Sequence, residues 1–155
     1  MKKAAGIFYT DGKKVLLLKK KSGKNKNTWG LPGGGIEEGE TSKEAAKRES
    51  KEEIGVVRGK KFNESREFYK NLHWTTYFHK IKTTFSCKLS EEHTKWKWYN
   101  FEDLHNLKIH PSLKKNLEKY LNIVNKEFGN SIKENSEYSF SKWLENKIDC
   151  RPPID

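Results

Sequence analysis

Three glutamates stand close together in the sequence, namely Glu49, Glu52 and Glu53. In a helix, this spacing places all three carboxylates on one arc roughly 100° wide, at about 100° per residue. Like charges at this spacing repel one another. Mg²⁺ prefers hard oxygen ligands and would convert that repulsion into attraction. The triplet therefore indicates a divalent-cation site, although a solvated Glu-rich helix surface is the common alternative.

A glycine run, Gly33 to Gly35, precedes these glutamates. Glycine allows the backbone to turn sharply and to approach a phosphate or a metal closely. A main-chain carbonyl oxygen in this run could therefore be a further metal ligand. On its own, such a run is more typical of a simple turn.

The spacing between the two features is more specific than either one. Gly34 is followed by five residues, Glu40, seven residues, and then the run Arg48 to Val56, which spells R-E-S-K-E-E-I-G-V. This resembles the Nudix box, G-x5-E-x7-R-E-U-x-E-E-x-G-U, in which U is aliphatic. The chain is therefore similar to the Nudix hydrolase superfamily of MutT-like proteins over residues 34–56. Ser50 replaces an aliphatic residue of the box, and we expect it to face the core and to weaken packing there.

The resemblance implies an α/β (α+β) fold with a Nudix-type mixed β-sheet sandwiched between α-helices. It also implies hydrolysis of a nucleoside diphosphate linked to another moiety, by water activated with Mg²⁺ or Mn²⁺. The implied metal ligands are Glu49, Glu52, Glu53 and the Gly33 carbonyl. Arg48 is implied to hold a carboxylate, and Glu40 is implied to support the site from behind the ligands.

The general base and the substrate contacts are left open by the box. Glu49 and Glu53 are candidates for the base, and so is a glutamate in a later loop, Glu91 or Glu92. The basic segment from Lys19 to Lys26 could meet distal phosphates or RNA, although a solvated loop is slightly more typical of such a segment. The predicted substrate-binding residues are Gly34, Trp29 and Lys20.

The elements that must position these residues follow from hydrophobic patterning. Two strands, Ala4–Tyr9 and Lys13–Lys20, flank a Thr-Asp-Gly hairpin signal. The run from Val15 to Leu18 suits a strand covered on both faces. Thr41 with Glu44 predicts a capping box and Gly55 a helix end, so the glutamates lie on a helix. Further predicted elements are strands at 66–70, 72–86 and 95–100, a turn or short helix at 101–107, and helices at 111–128 and 139–148.

The 155 residues fit one Nudix domain over residues 1–128 with a C-terminal extension over 129–155, predicted to be a short helix packed on the same domain. The net charge of +11 favours anionic partners. Cys87 and Cys150 form no zinc motif, and no stretch reaches transmembrane length. We expect a cytoplasmic protein without a membrane partner, and the sequence leaves a homodimer open.

The substrate is open among a nucleoside triphosphate, a dinucleoside polyphosphate and an RNA 5′ end. No proline lies between Pro32 and Pro111, which weighs against the ADP-ribose type of relative. A non-catalytic nucleotide-sensing or RNA-binding module is the main alternative, but an idle site gains nothing from three mutually repelling carboxylates. Isopentenyl-diphosphate isomerase activity would require a catalytic cysteine for which neither Cys87 nor Cys150 has a partner motif.

Overall fold

The computed structural model describes residues 1–129. The predicted helix at 139–148 and Cys150 lie outside the described residues, as does nearly all of the predicted extension. The division of the chain at residue 128 therefore stays a prediction.

The described residues form seven strands, two α-helices and one 3₁₀-helix. The strands are β1 (Lys2–Thr10), β2 (Lys14–Lys20), β3 (Trp29–Gly30), β4 (Gly33–Gly35), β5 (Lys60–Tyr69), β6 (Leu72–Lys80) and β7 (His93–Asn100). The α-helices are α1 (Ser42–Ile54) and α2 (Pro111–Phe128), and the 3₁₀-helix is Phe101–Asn106. The sheet is mixed, because β1 pairs in parallel with β6 and the other pairs are antiparallel.

The predicted hairpin between β1 and β2 is confirmed, and its two strands pair only beside the turn. Gly12 does adopt a positive φ of 99° in the turn, but Thr10 with Val15 is the registered pair between the two strands. The strands diverge because β2 pairs along its length with β7 and at its end with β3. The edge of β1 at Ala4–Gly6 is thus available to β4, which brings the glycine run into the sheet.

Strand β2 is covered on both faces, as its apolar run predicts. Val15 and Leu17 pack in the cluster that contains α2, whereas Leu16 and Leu18 pack in the cluster that contains α1. All four side chains are no more than 1% exposed. The two clusters confirm a sheet sandwiched between helices.

Helix α1 begins and ends where its caps predict. The Glu44 N–H donates to the Thr41 hydroxyl at 3.1 Å, and the Glu44 carboxylate accepts from the Thr41 N–H at 2.9 Å. Gly55 ends the helix with a left-handed φ of 86°. Glu49, Glu52 and Glu53 therefore lie in its last turns.

Helix α2 has the predicted bounds and the predicted buried stripe of Leu113, Leu117, Leu121 and Val124. The ring of His110 caps it, since Nδ1 accepts the Ser112 N–H at 3.2 Å. Within residues 1–129, no helix is both long and apolar enough to cross a membrane.

Strands β5 and β6 meet at the predicted Lys70–Asn71 turn, with Lys70 at φ 54°. β5 begins at Lys60, earlier than predicted, and β6 ends at Lys80, well before Ser86. The ends differ from the prediction because β6 stops where β1, its parallel partner, stops. Residues 81–86 continue as a connection without strand pairing among the described residues.

Ser50 is fully buried, as expected, and its hydroxyl group makes two hydrogen bonds. Its Oγ donates to the Val56 carbonyl at 2.7 Å and lies 2.7 Å from the Tyr9 hydroxyl. Because the Ser50 proton goes to Val56, the Tyr9 hydroxyl donates to Ser50. Ser50 thus links α1 to β1 and to the segment after Gly55, which are contacts that the expectation of weakened packing did not include.

A Ser50→Val substitution, which restores the aliphatic residue of the box, is expected to destabilise the protein by about 1–3 kcal/mol. The reason is that the Tyr9 hydroxyl and the Val56 carbonyl lose a buried partner. In the Ser50→Val variant, Tyr9→Phe should lower the free energy of unfolding by less than it does in the wild type, since the two residues share the hydrogen bond. Urea denaturation of the four proteins measures the coupling, and strictly additive costs would contradict it.

Candidate active site

Glu53 is the most deeply placed carboxylate of the box, with 3% of the residue exposed. Its Oε1 accepts the Gly33 N–H at 2.8 Å, which joins α1 to the glycine run. Burial raises the pKa of Glu53 to about 9. The hydrogen bond from Gly33 opposes this rise, while the nearby Glu49, Glu92 and Glu52 add to it. A divalent cation is the kind of partner that would let this acid ionise.

Glu49 lies one turn earlier, and its side chain is 14% exposed. Burial raises its pKa, and Arg48, whose Nη1 lies 3.2 Å from Oε2, opposes the rise. A Cβ added at Gly34 would collide with the Glu49 carboxyl group. A side chain at position 34 would therefore displace the Glu49 carboxylate, which lies directly against the backbone.

Arg48 crosslinks the glutamates to the preceding loop. Its Nε and Nη2 donate to both oxygens of Glu40 at 2.8 and 3.0 Å, and Nη2 also donates to the Gly35 carbonyl at 2.9 Å. These hydrogen bonds lower the pKa of Glu40. The same guanidinium contacts Glu52 at 3.3 Å, and the Glu52 side chain is 54% exposed. Bidentate contacts of this kind fix geometry, so Arg48 and Glu40 hold the loop against the helix.

Gly33 is packed against β1 and β6. A Cβ there would stand 2.5 Å from the Ala5 carbonyl oxygen, 2.7 Å from the Gly6 Cα and 2.8 Å from the Trp74 ring. Two of these atoms belong to the backbone and cannot move aside cheaply. The close approach fixes the main chain of Gly33 beside Glu53.

These groups suit a hard divalent cation. Glu49 and Glu53 provide carboxylate oxygens, the Gly33 main chain lies beside them, and Gly34 leaves space that a side chain would fill. In residues 1–129 no three His, Cys, Asp or Glu side chains converge as a complete ligand group. A donor set of this size matches Mg²⁺, which usually keeps several waters and takes one or two carboxylates.

A cavity of about 290 Å³ opens beside Glu53 and Gly33. One side carries Lys20, His93 and His110, which we call the basic wall. Lys20 pairs with His93 across β2 and β7, so the first two are neighbours. Burial lowers the pKa of both histidines, and Lys20 adds to this effect. Near neutral pH both imidazoles of the basic wall are therefore uncharged.

The loop before β7 brings one of its two glutamates to the cavity. The Lys88 and Ser90 N–H groups donate to the carbonyls of Ile54 and Glu53 at 2.9 and 3.1 Å, which ties the loop to the end of α1. Within the described part of the chain, Glu92 lines the cavity and Glu91 does not. Glu92 also contributes to the raised pKa of Glu53 and of Glu49, which places its charge near both.

A second wall of the cavity was missed by the sequence prediction. It consists of Glu67, Tyr69, Trp74 and Tyr120, from β5, β6 and α2. The alternation of side chains along β5 could have predicted this second wall, because Ser65, Glu67 and Tyr69 share one face of the strand. A glutamate at a buried position of such a strand is a signal for a polar site.

Of the three predicted substrate-binding residues, Lys20 alone lines the cavity within residues 1–129. Lys20 lines the cavity, and its Nζ donates to the Lys24 carbonyl at 2.8 Å. Gly34 lies against Glu49 and does not line the cavity, as far as residues 1–129 show. Trp29 does not line this cavity within residues 1–129, since the residue is 8% exposed and its ring meets Tyr99 edge-on at 5.0 Å, so its substrate role stays a prediction that this placement does not support. Trp29 belongs to the core because it pairs with β2 and faces α2.

Comparison with known proteins places these features in a family context. A family model described as the NUDIX domain matches residues 1–120. A 52-residue stretch is 48% identical to the ADP-ribose pyrophosphatase of Methanocaldococcus jannaschii and spans 34% of this chain and 30% of that protein. The chain therefore aligns with less than a third of the length of this curated relative.

Solved structures agree with the fold. An Ap4A hydrolase from C. elegans, crystallised as a binary complex, superposes with a TM-score of 0.64 at 27% identity, over 76% of this chain and 94% of that one. A Nudix hydrolase from M. smegmatis superposes with a TM-score of 0.68 at 18% identity, over 79% and 85% of the two chains. The second likeness shows the fold alone.

Proposed function

The chain belongs to the Nudix family, and from that membership we propose that it is a divalent-metal-dependent pyrophosphohydrolase. Its substrate is a nucleoside diphosphate linked to another moiety, and the reaction cleaves the phosphoanhydride bond. Members of this family generally require a divalent metal, and we propose Mg²⁺, with Mn²⁺ as a substitute.

The observation that carries the proposal is the cavity beside Glu53 and Gly33. One of its walls is basic and another is aromatic, so the cavity combines phosphate chemistry with a surface for a flat ring. A nucleoside polyphosphate has both parts, with its phosphates joined to its base through a sugar. The cavity is close to the lower end of the volumes found for small-molecule sites.

The proposed metal ligands are Glu49, Glu53 and the Gly33 carbonyl, with Glu52 at the exposed side. A bound divalent cation supplies charge neutralisation at the phosphates and a lowered pKa for bound water. Arg48 and Glu40 hold the ligands in place through their bidentate contact. Lys20 attracts the phosphates, and the uncharged imidazole of His93 is available as a hydrogen-bond donor to them.

Glu92 is the proposed general base that accepts a proton from the attacking water. It lines the cavity that Glu53 also lines, and the two backbone hydrogen bonds of its loop to α1 fix it there. Glu92 is exposed and can therefore meet an attacking water, whereas Glu53 is buried.

Glu92→Gln is expected to lower kcat by about 100-fold or more, which is the contribution typical of a general base. Glu91→Gln is the matched control, because Glu91 is the neighbouring residue and is exposed. The control should keep kcat within about twofold of wild type, as surface substitutions away from a site usually do. Steady-state kinetics under saturating Mg²⁺ decide the matter, and equal activity of both variants would exclude Glu92 as the base.

The proposed function is tested by a phosphate-release screen with Mg²⁺ and with Mn²⁺. The substrates should include nucleoside triphosphates, dinucleoside polyphosphates and triphosphorylated RNA. Ap4A and ADP-ribose belong in the screen, because proteins with those activities are among the matches. Turnover of a nucleoside polyphosphate supports the proposal. No turnover of any substrate would overturn it and favour a non-catalytic nucleotide-sensing or RNA-binding module.

A further inference from the structure

Glu67 is a charged group within the second wall of the cavity, where 9% of the residue is exposed. Its Oε2 accepts a hydrogen bond from Lys119 at 2.8 Å and another from the Ser65 hydroxyl. Its Oε1 accepts the Tyr120 hydroxyl proton at 2.6 Å. Burial raises the pKa of Glu67, but these hydrogen bonds outweigh it and the net shift is downward. Glu67 is therefore ionised near neutral pH.

A directed chain of hydrogen bonds ends on this carboxylate. The Trp74 Nε1–H donates to the Thr76 hydroxyl at 2.6 Å, and the Thr76 hydroxyl lies 2.9 Å from that of Tyr120. Because the Tyr120 proton goes to Glu67, the Thr76 hydroxyl donates to Tyr120. Every proton in the chain thus points towards Glu67, and the Trp74 indole is held in place beside it.

The carboxylate retains capacity for one more donor. An ionised carboxylate has about four acceptor positions. Three are occupied, two on Oε2 and one on Oε1, by partners among residues 1–129. The fourth acceptor position is on Oε1, and Glu67 lines the cavity. A ligand that enters with a hydrogen-bond donor can therefore satisfy it, whereas a ligand without a donor leaves this acceptor position desolvated and without a partner.

Aromatic surface beside this acceptor suggests what the ligand is. Trp74 lies opposite Glu67 in the pairing of β5 with β6, and Tyr69 and Leu72 form the next part of the wall. Aromatic and aliphatic side chains pack against a flat ring. A heteroaromatic ring with an N–H group on its edge satisfies both the surface and the acceptor.

We infer that Glu67 is a specificity-determining residue, which accepts a hydrogen bond from an N–H group of a nucleobase packed against Trp74. The inference rests on the proposed function, since it assigns the base of the nucleoside polyphosphate to the second wall. It places the phosphates towards Glu53 and the basic wall. A base that carries an exocyclic amino group is favoured over the same ring without one.

The test compares two substrates that differ in one group. ATP carries an amino group on its purine, whereas purine riboside triphosphate has the same ring with a hydrogen at that position. For the wild type we expect kcat/KM for ATP to be higher by about tenfold or more, as for a hydrogen bond to a charged acceptor. Equal values for the two substrates would overturn the inference.

Glu67→Gln should abolish this preference. The amide oxygen of Gln is expected to take the place of Oε2, because Lys119 and Ser65 are both donors there. The NH₂ group then occupies the place of Oε1 and presents a donor to the cavity instead of an acceptor. The ratio for the two substrates should fall to about one or below, since the advantage of the charged acceptor is lost. An equal loss on both substrates would show a structural role only and would overturn the inference.

Lys119→Met is the matched control. It removes the ion pair but keeps the carboxylate, and the Lys119 side chain is 55% exposed. This variant should keep the preference for ATP, and its loss would contradict the inference. If Glu67→Gln does not melt cooperatively, Glu67→Asp replaces it. The shorter side chain withdraws the acceptor while keeping the charge, so the preference should again fall.

Calorimetric binding of the same two nucleotides in EDTA separates this inference from the proposed function. Tighter binding of ATP that depends on Glu67 would support the base site even if no substrate were hydrolysed. Hydrolysis with no dependence on the amino group or on Glu67 would leave the proposed function standing and overturn the base site.

Discussion

Glu53→Gln is expected to lower kcat/KM for the best substrate by at least about 100-fold. Loss of a group that merely supports a metal ligand typically costs 10–100-fold, and a ligand should cost more. Gln has nearly the same shape and can still accept the Gly33 N–H through its amide oxygen, so the loop remains attached to α1. What is lost is the anionic oxygen that a divalent cation requires.

Without metal, this variant should be more stable than the wild type, although it is less active. The pKa of Glu53 is raised to about 9 in the folded protein by burial, above its unfolded value near 4.5. Between those values the folded state retains a proton that the unfolded state releases, so the wild type loses stability as pH rises. Gln does not titrate. The melting temperature of Glu53→Gln should therefore exceed that of the wild type in EDTA, by a margin that grows from pH 5 to pH 8.

Both measurements have a matched control in Glu38→Gln. Glu38 is exposed in the loop before α1, and the substitution removes the same charge. Its activity and its pH-dependent stability should follow those of the wild type. Full activity of Glu53→Gln with saturating Mg²⁺ would contradict the site assignment, and identical melting curves at every pH would contradict the buried acid.

The local elements of the site could be predicted from the sequence, because their signals are contiguous. Thr41, Glu44 and Gly55 mark the ends of α1 by side-chain and backbone chemistry within a few residues. Spacing on a helix then places Glu49, Glu52 and Glu53 in its last turns. It does not determine which of them is buried, since that depends on where β4 and the loop before β7 lie.

The second wall could not be predicted in this way. Glu67 and Tyr120 are 53 residues apart in the chain, and they meet because α2 packs against β5. Trp29 shows the converse difficulty. It precedes the glycine run and was assigned to the substrate, yet its pairing with β2 directs it into the core. From sequence alone, an aromatic residue that contacts the substrate cannot be distinguished from one that packs in the core beside the same motif.

Gly33→Ala is expected to destabilise the protein by about 3 kcal/mol, near the upper end of typical overpacking costs. The added Cβ would meet the Ala5 carbonyl oxygen at 2.5 Å and the Gly6 Cα at 2.7 Å. Both are backbone atoms of β1, so relief requires β4 to move away from the sheet. Such a movement displaces the main chain that donates to Glu53. We expect kcat/KM to fall by about 100-fold as well, since a displacement near 1 Å is enough for a loss of that size.

Gly35→Ala supplies the matched control, two residues along the same strand. A Cβ at Gly35 meets no atom within 4 Å among the described residues, and the side chain position faces solvent. Its stability should change by no more than about 0.5 kcal/mol, as at other open surface positions. Chemical denaturation and steady-state kinetics of the two variants separate a requirement for a close approach at Gly33 from a general need for a flexible glycine run. Equal effects at both positions would favour the flexible run and contradict the packing of Gly33 as the reason for its glycine.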